Sequence, residues 1–101
     1  MPATEAILEA CKAFSLGNLD GALDTLSDDV AWEIVGQKSV RGVEAVEAFC
    51  EEMTQDGMPD FVIERITAGP ASVAIEGRDT EDTLRFCDVY TVTEVEITAV
   101  T

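Results

Sequence analysis

Histidine is absent from the 101 residues of this chain, and lysine and arginine together number 6 against 21 aspartates and glutamates. Without histidine no Ser-His or Cys-His couple can form, so nucleophilic hydrolysis of the triad kind is excluded. A net charge of −15 provides no basic patch to hold phosphates. Nucleic acid and anionic membrane surfaces carry the same sign as the chain, and neither is expected as a partner. The acidity reads as a solvated surface that keeps the protein soluble, with a cation or a basic partner as the sharper alternative. Cysteine is also scarce. Cys11, Cys50 and Cys87 are odd in number, far apart and free of any CxxC pair, which argues against a disulfide framework and against a zinc site. Neither GxGxxG nor GxxxxGK[ST] occurs, and Asp28-Asp29, Glu51-Glu52 and the Asp79 to Asp82 turn lack the spacing of a calcium loop. No metal or cofactor is expected. The N-terminal stretch MPATEAILEAC has no basic n-region, and no long apolar run follows it, so neither a signal peptide nor a membrane span is read here. A reducing cytoplasm fits this cysteine usage.

What is present is 47% apolar residues spread along the chain, the composition of a single globular domain over residues 1–101. A chain of this length buries roughly 60 to 70% of its unfolded surface, enough for one core. Thr4 is an N-cap, Glu5 complements the helix dipole, and Ile7, Leu8, Cys11 and Phe14 recur at helical spacing before Gly17, which predicts a helix over 4–16. Leu19, Ala22, Leu23 and Leu26 make a second, shorter helical face capped by Asn18 or Asp20. Ser27-Asp28-Asp29 is turn chemistry, and Val30 to Val35 (VAWEIV) is β-branched and aromatic enough to predict a strand. Alternation puts Val30, Trp32 and Ile34 on one face and Glu33 on the other. After a polar loop from Gly36 to Gly42, Val43, Val46, Phe49, Cys50 and Met53 form the apolar stripe of a third helix ending near Asp56-Gly57.

Beyond Pro59 the pattern is strand and turn. Strands are predicted over Asp60 to Ala68, Ser72 to Arg78, Leu84 to Thr93 and Val95 to Thr101, with short connections that make them antiparallel neighbours. In the last two, both alternating sets carry apolar residues. Phe86, Tyr90 and Val92 oppose Cys87 and Val89, and Val95, Ile97 and Ala99 oppose Val100. A sheet apolar on both faces calls for helices on one side and a second subunit on the other.

The segment GNLDGALDTLSDDVAWEIVG, the loop ending Arg41-Gly42 with VEAVEAF behind it, and the closing strands FCDVYTVTEVEITAV resemble the NTF2-like superfamily in its SnoaL-like and ketosteroid-isomerase-like branch. The resemblance implies an α+β cone in which three N-terminal helices pack on a strongly curved antiparallel sheet and enclose an apolar pocket. It also implies homodimers through the outer sheet face. Members of the superfamily include isomerases, polyketide cyclases, epoxide hydrolases, dehydratases and non-catalytic binding modules, so the fold does not select an activity. Related chains usually continue past the last strand to line or close the pocket mouth. This one ends at Thr101, and the domain reads as short of its usual C-terminal residues, with a more open pocket.

Ketosteroid isomerase pairs an aspartate base with a tyrosine and a neutral aspartic acid in its oxyanion hole. On that pattern the base position falls on Ile34, which cannot take a proton, and the tyrosine position falls near Ala10 and Cys11. The oxyanion-hole aspartate alone has a counterpart, Asp88, between Phe86 and Tyr90 on the face expected to look into the pocket. Desolvation there would raise its pKa and suit it to act as donor, acid or base. Trp32 and Tyr90 are candidate pocket walls, the latter with a hydroxyl handle. Ile34, Phe86, Phe14 and Phe49 complete the expected ligand-binding set, the last two also serving as core, whereas Phe61 reads as core alone. Arg78 and Asp79 resemble the Arg and Asp of limonene epoxide hydrolases only loosely, since they are adjacent and open an acidic turn. Two functions follow as expectations. One is a non-catalytic module binding a small apolar molecule. The other is an isomerase, cyclase or dehydratase using Asp88.

Overall fold

Thr4 opens the first helix by accepting the Ile7 amide on its hydroxyl at 3.2 Å, and Glu5 in the first turn complements the dipole. The resulting α1, Glu5–Ser15, buries Ile7, Ala10, Cys11, Phe14 and Ser15 on one face. In the computed structural model, which describes residues 4–55, 57 and 60–101, it is followed by β1 (Leu26–Ile34), β2 (Lys38–Arg41), α2 (Val43–Thr54), β3 (Phe61–Ala68), β4 (Ser72–Asp79), β5 (Arg85–Val92) and β6 (Ile97–Val100). The expected helix end at Asp56 and the strand-region boundary at Pro59 lie outside the described residues.

The strands form one six-stranded sheet in the order β2-β1-β6-β5-β4-β3. Helix α1 lies across β4 and β5, and α2 lies across β1 and β2. Between them sits a core that includes Tyr90, Ile7, Ile75 and Ile97, all fully buried. Each such side chain contributes roughly 1.5 to 3 kcal/mol of transfer free energy.

The architecture is α+β, as expected, but differs from the sequence reading in particulars. Among the described residues there are two α-helices, not three, α2 being the one expected over Val43 to Met53. The Leu19 to Leu26 segment forms two 3₁₀ turns, Leu19–Gly21 and Leu23–Thr25. A helix nucleus is costly for so short a run, and Gly21 already sits where a Cβ would lie 2.8 Å from that of Ala13. Ala22 and Leu26 still reach the core. Strand β1 starts at Leu26, ahead of the expected Val30, and the expected polar loop contains β2, whose mostly exposed residues give no apolar alternation to read.

The sheet is mixed, not wholly antiparallel, because β1 runs parallel to β6. Hairpin connections force antiparallel pairing only between consecutive strands, and these two are joined through most of the chain. A further departure concerns the last strand. Tyr90 pairs with Val100 and Val92 with Ile97, with a register shift between them. The extra residue returns both Ile97 and Val100 to the inner face, where each is fully buried. Val95, expected in the strand, is an exposed turn residue. The outer face is thereby less apolar than strict alternation implied.

Candidate functional site

Alternation along β5 sends Phe86, Asp88, Tyr90 and Val92 inward and leaves Cys87, Val89 and Thr91 exposed. A cavity of about 510 Å³ opens beside the first two. Its walls come from the ends of α1 and α2, the end of β1 and the starts of β3 and β5: Phe14 and Ser15, Cys50 and Met53, Trp32 and Ile34, Phe61, and Leu84 with Phe86. This volume falls within the roughly 300 to 1,000 Å³ of small-molecule sites.

Aromatic rings shape both sides. Trp32 meets Phe14 edge-on at 5.0 Å between centroids and Phe49 at 4.8 Å, while Phe61 meets Phe86 edge-on at 5.4 Å. Such pairs add roughly 0.5 to 1.5 kcal/mol each beyond their burial. Phe86 can pack close over its strand neighbour because that neighbour is Gly77, where a Cβ would come within 2.7 Å of the ring.

Asp88 brings a carboxyl to this apolar wall. Its Oδ2 lies 2.8 Å from the Oγ of Ser15, the last residue of α1. Burial raises the pKa of Asp88 above the ordinary carboxyl value, and the Ser15 bond partly opposes that rise. Behind the wall, the Ser15 hydroxyl is also hydrogen-bonded to the Tyr90 hydroxyl, which donates to the Cys11 carbonyl at 3.0 Å. Burial, followed by the neighbouring Asp88, pushes the Tyr90 phenol up. Burial alone pushes the Cys11 thiol up to about 12, so that thiol is inert at neutral pH. Cys50, on the cavity wall, is also raised by burial and then by Glu51.

The expected site residues therefore divide. Asp88, Trp32, Ile34, Phe14 and Phe86 all line the cavity. Tyr90 does not, because it is fully buried with its hydroxyl directed to Ser15 and Cys11. Phe49 stands behind Trp32, with the Lys38 ammonium 4.7 Å from its ring centre. Phe61, read as core, is a wall residue, and the exposed Glu33 reaches the rim. Ser15, Leu19, Met53 and Leu84 also line the cavity, outside the expected ligand-binding set. Nothing in KAFSLG marks Ser15 apart from its place one helical turn beyond Cys11.

Arg78 and Asp79 do not converge on the cavity. The Arg78 guanidinium lies 3.3 Å from Glu64 and donates to the Asp79 carbonyl. The Asp79 carboxylate accepts from the Thr83 hydroxyl and the Thr83 and Leu84 amides at 2.5, 2.7 and 3.1 Å. The hydroxyl bond is the largest cause of its lowered pKa, and the residue is a turn clasp. Among the described residues no group of three or more His, Cys, Asp or Glu side chains is arranged to hold a metal, and no helix is long and apolar enough to cross a membrane.

Several solved structures share this architecture. An NTF2-like protein of unknown function from Cytophaga hutchinsonii ATCC 33406 superposes with a TM-score of 0.79 at 22% identity, covering 95% of this chain and 93% of that one. A candidate ketosteroid isomerase from Kribbella flavida DSM 17836 gives 0.69 at 21%, covering 95% and 74%. A candidate polyketide cyclase from Xanthomonas campestris pv. campestris gives 0.63 at 22%, covering 95% and 84%. At such identities the likeness establishes the NTF2-like fold alone. No curated protein matches the chain. Residues 7–100 match the SnoaL-like domain family, and the chain belongs to that family.

Proposed function

We propose that the cavity binds a small apolar molecule and that the protein is a binding module, with Asp88 supplying the hydrogen bond that orients the ligand. The observation that carries this reading is a largely apolar wall, built from Phe14, Trp32, Ile34, Phe61 and Phe86, with the Asp88 carboxyl set into it. The Oδ2 atom of that carboxyl is engaged by Ser15, and its other oxygen can accept from a ligand donor. The position where the family resemblance calls for a general base is Ile34, and general base catalysis typically supplies on the order of a hundredfold to ten-thousandfold.

A second reading, an isomerase, cyclase or dehydratase using Asp88 as acid or base, draws on the raised pKa of that group. The structural neighbours that are candidate ketosteroid isomerase and polyketide cyclase support it by analogy only.

Trp32 is the one tryptophan in the chain and lines the cavity, so its fluorescence reports occupancy directly. Titration with neutral apolar probes such as N-phenyl-1-naphthylamine is expected to give saturable quenching that weakens in Leu84→Glu at the cavity edge. Absence of saturable quenching across a panel of neutral apolar probes would refute the binding reading. Turnover of a cyclic ketone that is lost in Asp88→Asn would favour the enzymatic one.

A further inference from the structure

Behind the cavity wall, the Asp88 carboxyl, the Ser15 hydroxyl, the Tyr90 hydroxyl and the Cys11 carbonyl stand in line, joined by three contacts. The number of protons decides their polarity. A carbonyl can only accept, so the bond to Cys11 uses the single phenolic proton of Tyr90. Tyr90 is then an acceptor for Ser15, which spends the Ser15 proton, and Ser15 is in turn an acceptor for Asp88. All three contacts are hydrogen bonds only while Asp88 carries its proton.

Once Asp88 ionises, the two hydroxyl protons must serve three contacts. A carboxylate is the strongest acceptor in the set. It takes the Ser15 proton, Ser15 takes that of Tyr90, and the Cys11 carbonyl is released. In helical geometry that carbonyl retains the bond from the Ser15 amide four residues on, so its release leaves no buried orphan.

We propose that Ser15 and Tyr90 form a reversible hydroxyl relay that couples the protonation of Asp88 in the cavity to the hydrogen bonding of the Cys11 carbonyl on α1. Both are positioning residues, since each acts on the cavity through Asp88. The covalent bond broken is the Asp88 O–H, whose proton passes to water or to a basic atom of a bound molecule. The two hydroxyl O–H bonds rotate and stay intact. A ligand that takes this proton, or a cation that pairs with the carboxylate, drives the relay to its ionised setting. That last step rests on the cavity being a ligand site, but the relay itself belongs to the free protein.

The groups around Asp88 leave it in command of the relay. Ser15 faces it from α1, Cys50 lines the same cavity from α2, Glu33 reaches the rim from β1, and Arg85 and Cys87 flank it on β5, while Cys11 lies beside Tyr90. The Arg85 guanidinium is engaged by Glu64 and Asp82 at 3.0 and 3.1 Å. Burial favours the neutral carboxyl and the Ser15 bond favours the charged one, so both settings are within reach of a titration.

Carbon-detected NMR of the intact chain, following the Asp88 carboxyl and the Cys11 carbonyl over an acid titration without ligand, tests the relay. The Cys11 carbonyl shift is expected to move with the Asp88 midpoint. In Ser15→Ala and in Tyr90→Phe, Asp88 should still titrate while the Cys11 carbonyl stays flat. A wild-type Cys11 carbonyl that stays flat overturns the proposal, and so does one that still follows Asp88 in Ser15→Ala, which would indicate a field effect. If Tyr90→Phe does not fold, wild type and Ser15→Ala decide the matter. Failure here leaves the Trp32 quenching result untouched, so the relay and the ligand site stand or fall separately.

Discussion

Adding one methyl group at Gly77 should be among the more damaging small changes in this protein. Gly77 lies on the inner face of β4, paired with Ile63 of β3 and Phe86 of β5. A Cβ there would sit 2.3 Å from the Val62 carbonyl oxygen and 2.7 Å from two carbons of the Phe86 ring. Contact between carbons is most favourable at about 3.5 to 4.0 Å, so the ring would have to retreat by about 1 Å. The Val62 oxygen belongs to β3 backbone held in the ladder with β4 and cannot swing aside as a side chain can. Overpacking costs roughly 1 to 3 kcal/mol, and a backbone clash places this case in the upper half. Loss of glycine freedom in the unfolded chain offsets about 0.4 to 1 kcal/mol. A net destabilisation of about 1 to 2.5 kcal/mol follows, equivalent to a midpoint lowered by roughly 5 to 15 °C for a domain of this size. Urea denaturation and thermal melting of Gly77→Ala beside wild type measure it. Because Phe86 is a cavity wall, probe quenching of Trp32 should weaken in the same variant. A stability change below about 0.5 kcal/mol, within the usual range for innocuous surface changes, would show that Phe86 does not cover Gly77 in solution.

Three further outcomes are expected. Because burial raises the folded pKa of Asp88 above its unfolded value, the unfolded state is the better acid. Stability is fully present below the unfolded pKa, declines as pH rises through the interval between the two values, and levels off above the folded pKa, at about 1.4 kcal/mol per unit of elevation. Asp88→Asn should remove that decline, and a carboxyl pKa at or below about 3.9 by NMR would contradict the burial argument. The chain should not isomerise ketosteroids, since Ile34 occupies the base position; robust turnover would show that correspondence to be wrong, and Ile34→Asp is the matching gain-of-function variant. A homodimer through the outer sheet face is expected at micromolar concentration, centred on Val62 and Val89, which are 37% and 43% exposed. Light scattering should show it dissociated by Val89→Glu, and a 10.8 kDa species in the wild type would exclude it.

Sequence patterning revealed most where a single period governed a long segment. Thr4 and the Ile7, Cys11, Phe14 spacing marked α1 to within a residue at each end. The alternation in RFCDVYTV alone places Phe86, Asp88 and Tyr90 on one face. It was less informative where tertiary contact overrides period. The Thr98 bulge is invisible to strict alternation, yet it decides that Val100 faces the core. The Leu19 to Leu26 stripe has helical spacing but too few residues to sustain a helix, so its apolar side chains reach the core from 3₁₀ turns. Tyr90 shares a face with Asp88 but not a surface. Two strand steps of about 3.4 Å each carry the chain from the cavity to the packed layer under α1, and the tyrosine becomes support for the site instead of its wall. Ser15 could be found only through that layer, since its neighbours Asp88 and Tyr90 are more than seventy positions away.

The same layer limits the chemistry open to the cavity. Moving a proton between two carbons requires a group that takes it up and stands over both positions. Trp32, Ile34 and Phe14 offer no such group on the wall formed by β1 and α1, and the rim carboxylate of Glu33 is exposed, so water screens it. Asp88 approaches from β5, and its partner Ser15 leads away from the cavity into the core. Its other oxygen can therefore accept from a ligand donor at one place, or its proton can be withdrawn toward a basic ligand atom there, while Ser15 and Tyr90 adjust behind it. Under the binding proposal such a site would recognise an apolar molecule by one polar atom, with Asp88 as the acid or base that the second reading would use.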